Sequence, residues 1–256
     1  MLALLFAALG RRGHVDAPPP PPPLTAAESA LLAQAAPFDL TKMVKLPGPP
    51  VGAAFSVADS GVWLTAASVV AQCAKLGLVA SGGEGVIATV AIQPGSQVAV
   101  LTTPGGAPAL PLARRAPPRA AMGYYPGFPT GQPGEVATQL LGPGSPRQAQ
   151  RDQPAADDLV WAEVGRTEGL RGSLSGLIGA PVLDDAGRAI GVTLAIAPRR
   201  GELYTTTPQA MGAALAAARQ QPSPQAAGVS LTPDNYGLAA DDLRRSLRIA
   251  PVVCAP

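Results

Sequence analysis

The chain has 256 residues, 47% of them hydrophobic and 14% charged, a length that admits one large or two small domains. Nineteen basic against seventeen acidic side chains leave a formal charge of +2, which gives no electrostatic footprint for nucleic acid. The single histidine, His14, lies in the N-terminal tail and there are two cysteines. The body therefore lacks the imidazole of a Ser-His-Asp or Cys-His hydrolase, a Cys/His zinc site is excluded, and no phosphate loop or dinucleotide fingerprint points to a cofactor.

Residues 2–9 (LALLFAAL) form a continuous apolar run bounded by Gly10, Arg11 and Arg12. As a helix the run rises roughly 13 Å, far short of a hydrocarbon core of about 30 Å. It is compatible with a signal-peptide core, a membrane attachment or a frayed apolar tail. Pro18 to Pro23 read as an extended polyproline spacer. Residues 25–36 read as a short helix, with Thr25 capping and Glu28 three residues on. The expected division is an apolar segment and linker over 1–24 and a lead-in over 25–50. Folded units follow at 51–113 and 114–206, with a C-terminal helix, linker and tail over 207–256.

From Val51 onward the apolar stretches are short and end in turn residues. They are VGAAFSV, GVWLTA, LGLVA, GVIATVAI, QVAVLTT, ALPLA, AAMGYY, EVATQLLG, DLVWAEVG, PVLD, AIGVTLAI and ELYTTT. Several alternate with period two, as half-buried strands do, and VADSG and DDAGR carry tight-turn chemistry. Thirty prolines and 29 glycines also argue against a helical protein. Short strands at regular spacing predict an all-β fold of barrel or sandwich type, split evenly about the Arg114–Arg119 stretch. Thr207-Pro208 predicts a helix start. ADDLRRSLR, 240–248, reads as a second helix whose DDLRR run is a solvated face. Val252-Val253-Cys254 reads as a short edge strand.

Three ordered segments make the reading specific. GAAFSVADSGVWLTAASVV (52–70), QVAVL (97–101) and GLIGAPVLDDAGRAIGV (176–192) resemble the histidine, aspartate and nucleophile segments of trypsin-like serine peptidases. The resemblance covers about residues 50–220 and implies an all-β fold of two six-stranded antiparallel barrels with a C-terminal helix and tail. It puts the catalytic positions at Ser68, Gln97 and Ile178, all three replaced. Isoleucine has no nucleophilic atom, serine is no base near neutral pH, and glutamine cannot hold an imidazolium. No catalytic residue is therefore expected.

What the resemblance implies is an inactive peptidase homologue with a protein or peptide partner, without cofactor or metal. Gly176 and Gly179 are the expected remnant of the oxyanion turn. The competing expectation is an active peptidase with Ser173 or Ser175 as nucleophile, which lacks an adjacent base.

Cys73 and Cys254 form an even pair that reads as a disulfide between tail and first barrel, the alternative being two unrelated thiols. A bridge agrees with export to the cell envelope or beyond. Trp63 and Trp161 are expected in the core. Tyr124-Tyr125 is read as strand packing or a groove lining.

Overall fold

The computed structural model describes residues 16–19, 42–144 and 158–255. The apolar run 2–9, Pro20 to Pro23 and the expected helix over 25–36 lie outside them. Among the described residues no helix is long and apolar enough to cross a membrane.

The first sheet contains β1 (Val44–Lys45), β2 (Gly52–Ala58), β3 (Val62–Ala66), β4 (Leu76–Ser81), β5 (Glu84–Ala91), β6 (Val98–Thr102) and β13 (Ile249–Cys254). Its order is β1-β5-β4-β13-β2-β3-β6, and β5 also pairs with β6. Six strands thus close a ring and β1 is appended to β5. The second barrel is β10-β11-β12-β9-β8-β7, built from β7 (Met122–Gly127), β8 (Gly134–Pro143), β9 (Leu159–Arg166), β10 (Pro181–Leu183), β11 (Ala189–Ala197) and β12 (Glu202–Thr205). Both barrels are antiparallel, as the resemblance implied.

Two strand expectations are corrected. ALPLA (109–113) is not a strand: Pro111 interrupts it, and the segment stitches the barrels together. The Leu110 N–H donates to the Ser56 carbonyl at 2.8 Å and the Ala113 N–H to the Ala189 carbonyl at 2.9 Å. Its place as a barrel strand is taken by the C-terminus. The expected edge strand at 252–254 is an interior one, longer by three residues. It pairs with β2 from Ile249↔Phe55 to Val252↔Gly52 and with β4 from Val252↔Leu78 to Cys254↔Leu76. Proline within a strand normally marks an edge. Here the β4 ladder begins only at Val252, one residue after Pro251.

Alternation along the strands sets the cores. Trp161 and Tyr125 are fully buried inside the second barrel, edge to face with centroids 6.2 Å apart, and Trp161 Nε1 donates to Thr205 Oγ1 at 2.9 Å. Trp63 is likewise buried, donating to Thr103 Oγ1 at 3.0 Å. Tyr124 points the other way, against Tyr236, with centroids 5.5 Å apart. It also lines a cleft of about 830 Å³ at the inter-barrel linker, beside Arg114 and Arg115.

The helices are α1 (Ala67–Val70), α2 (Pro208–Ala217) and α3 (Tyr236–Arg245). Helix α2 starts as its sequence requires, the Thr207 hydroxyl accepting from the Ala210 N–H at 3.4 Å. Helix α3 begins four residues before the expected 240. Cys73 and Cys254 are bonded, with Cα atoms 5.1 Å apart.

Candidate functional site

The three positions marked by the resemblance converge between the barrels. Strand β3 runs directly into α1, whose second residue is Ser68, exposed to solvent. The Ala67 N–H donates to the Gln97 carbonyl at 2.8 Å, which draws α1 onto the start of β6. Ile178 follows a 3-10 turn over Ser175–Leu177. A Cβ on Gly52 would lie 2.5 Å from Val69 Cγ2 and 2.7 Å from the Ile178 carbonyl oxygen. Helix α1 and the Ile178 turn therefore flank one point of β2.

Glutamine at 97 reaches across to the second barrel: Nε2 donates to Asp158 Oδ2 at 3.3 Å. Asp158 is 2% exposed. Its position just before β9 gave no sequence signal that it would meet Gln97.

The turn around Ile178 keeps its glycines, and its amides are engaged internally. The Gly176 N–H donates to the Pro129 carbonyl at 3.0 Å, the Ile178 N–H to the Ser175 carbonyl at 3.1 Å, and the Gly179 N–H to the Thr193 carbonyl at 2.9 Å. An oxyanion site needs donors aimed at the reacting atom, and these point at protein carbonyls. The Ile178 carbonyl accepts from the Ala53 N–H at 2.9 Å, tying the turn to the first barrel. The Ile178 side chain is partly buried against the core.

Gly179 has φ +87°, and a Cβ there would lie 2.2 Å from the Ala53 carbonyl oxygen and 2.4 Å from Thr65 Oγ1. Gly179→Ala is expected to cost about 3 kcal/mol, from left-handed strain plus a clash with backbone. A urea midpoint matching the wild type would refute this account of the junction.

Ser173 and Ser175 are both exposed. The Ser173 hydroxyl accepts from the Ser175 N–H at 3.1 Å. Among the described residues neither hydroxyl bonds to an acidic or basic side chain, and no group of three or more His, Cys, Asp or Glu is placed to hold a metal.

The loop that receives the Gly176 amide is braced from behind by residues the sequence reading placed in solvent. The DDLRR expectation holds for Asp242 and Arg245, which are exposed, and is corrected for Asp241 and Arg244, each 8% exposed. Arg244 Nη2 pairs with Glu135 Oε2 at 2.9 Å and with the Asp241 carboxylate. Arg244 Nη1 donates to the Gly134 carbonyl at 3.1 Å and weakly to Gly127, so the guanidinium holds both ends of the loop between β7 and β8. Thr167 Oγ1 donates to Glu135 Oε1 at 2.9 Å. Burial raises the Glu135 carboxyl pKa, and Arg244 beside it pulls it back in part. The missed signal was helical spacing: 237, 240, 241 and 244 share one face.

Paired closed barrels joined by such a turn define the two-barrel fold of trypsin-type peptidases. Residues 52–192 match the trypsin-like peptidase domain model, and the chain belongs to that family. The active form of the Rv3671c protease of M. tuberculosis is similar in structure, with TM-score 0.53 and 19% identity over 84% of this chain and 93% of that one. The HtrA-type protease AlgW, solved with a decapeptide, has TM-score 0.53 and 19% identity over 66% of this chain and 52% of that one. The MamO protease domain of Magnetospirillum magneticum has TM-score 0.51 and 18% identity over 67% and 93% respectively. These likenesses are of fold. No curated protein matches the chain.

Proposed function

We propose that this chain is a catalytically inactive member of the trypsin-like peptidase family that works by binding a protein or peptide partner. One observation carries the reading. Where the family reaction needs nucleophile, base and carboxylate, this chain has Ile178, Ser68 and Gln97, and the Ile178 amide is bonded to the Ser175 carbonyl. The junction between the barrels at these positions then serves recognition without cleavage. The disulfide is the chemistry of an oxidising compartment and supports a location outside the cytoplasm, in the cell envelope or secreted. A membrane attachment through residues 2–9 belongs to the same proposal.

A fluorophosphonate probe tests the loss of catalysis. No labelling is expected; labelling that disappears in Ser173→Ala or Ser175→Ala would establish an active peptidase instead. For the binding role, Ile178→Trp should weaken capture on a peptide array about tenfold, the loss of one good apolar contact site. Unchanged capture would place recognition elsewhere.

A further inference from the structure

Of the first 41 residues, Asp16–Pro19 are described, and they lie against the second barrel. The Ala17 N–H donates to the Arg166 carbonyl at 3.1 Å, and the Glu168 N–H donates to the Ala17 carbonyl. This forms a parallel bridge between Ala17 and Thr167, just past β9. The Arg166 N–H donates to the Asp16 carboxylate at 3.3 Å. Asp16, Pro18 and Pro19 are exposed, whereas Ala17 is 1% exposed. One methyl group is buried and main-chain bonds hold the rest, the way an extended peptide is added to a sheet.

The notch that receives the methyl has a defined size. A Cβ on Gly237 would lie 3.0 Å from the Ala17 Cβ, 3.4 Å from Pro18 Cδ and 3.5 Å from Glu135 Oε1. The notch exists because α3 carries glycine there, and a side chain larger than alanine at 17 would meet the helix. Beside the notch lie Glu135, whose Oε1 would be 3.5 Å from a Cβ on Gly237 and whose carboxylate pairs with Arg244, and Tyr236, 1% exposed. Each position of the occupant has a chemical reason. The acid accepts the Arg166 amide, the small residue fits the notch, and proline has no N–H to leave unsatisfied.

The geometry points to this notch as a peptide-recognition site for extended acidic–small–proline segments of a partner protein, occupied in the partner's absence by the chain's own Asp16–Ala17–Pro18. It goes beyond the reading at Ile178 and stands without it, since the loop between β7 and β8, which receives the Gly176 amide, lies between the notch and Ile178. The hold on the internal segment is slight, a few hydrogen bonds and one methyl. Tethering sustains it, because docking within one chain is intramolecular, and a better-fitting external segment overcomes it.

The test uses the full chain and a fluorescent peptide with the sequence of residues 14–20. In Ala17→Trp the internal segment no longer fits, and the peptide should bind at least about tenfold more tightly than to the wild type, where it competes with the tethered copy. A peptide carrying tryptophan in place of its alanine should not bind either chain. An Asp16→Lys/Ala17→Gly chain adds no bulk inside the notch, since Asp16 is exposed, and should reproduce the gain, which guards against misfolding of the first variant. Equal affinity for variant and wild-type chains, or no binding to either variant, would overturn the proposal. So would concentration-dependent dimerisation of the wild type abolished by Ala17→Trp, which would make a second copy the occupant.

Discussion

A chain ended at Arg248 should not fold cooperatively. The eight residues removed include β13, which lies between β2 and β4. Without it the first barrel opens and two strands lose a partner each. Val252 and Val253, both fully buried, leave their apolar neighbours facing water. The disulfide goes with them. Its own share is separable in Cys254→Ser, which keeps the strand. For a loop closed across 181 residues, chain-entropy scaling gives about 5 kcal/mol, a large part of the roughly 5–15 kcal/mol of a typical domain. Denaturant unfolding with and without reductant measures it, and the reductant should have no effect on Cys254→Ser. A truncated chain that melts sharply at the wild-type temperature would show that β13 is dispensable.

The second large effect is expected at Arg244. Arg244→Met removes the cation from a buried cluster and leaves Glu135 facing Asp241, at a cost of about 3–5 kcal/mol near neutral pH. The sign of its pH dependence follows from Glu135, whose folded-state pKa is raised by burial. A raised carboxyl stabilises the fold below its unfolded value and loses that contribution as pH rises through the folded one. Loss of Arg244 raises the folded value further, so the defect should be largest above neutral pH and shrink towards pH 5. Glu135→Gln in the same chain should recover part of the loss and flatten the profile. A defect independent of pH would mean that Arg244 acts only through its bonds to Gly127 and Gly134. Because those bonds brace the loop that receives the Gly176 amide, Arg244→Met should also speed hydrogen exchange at Gly176.

The corrections share a cause with the successes. Period-two alternation and turn residues are local, and eleven of the twelve predicted strands fall where the structure has them. ALPLA has the composition of a strand and fails because Pro111 breaks it and both barrels compete for its amides. Helix α3 reads as solvated because Asp and Arg are usually exposed. Glu135, about a hundred residues away in the chain, reverses that by offering Arg244 a buried partner. The candidate site was legible as residue identities at 68, 97 and 178. Its hydrogen bonding was not, because the acceptors at Pro129, Thr193 and Asp158 arrive from other strands and loops.

By itself the sequence determined most of the barrel strands and the absence of an imidazole from the body, its resemblance gave the two-barrel class, and it left the two cysteines open between a bridge and two thiols. These depend on composition, short-range periodicity and motif order. Only the tertiary structure decided that the C-terminus is an interior strand, that Arg244 is buried, that the amides around Ile178 are engaged and that Ala17 fills a notch in the second barrel. Each is a contact between distant parts of the chain, where burial and the need to satisfy every buried polar group outweigh local preference.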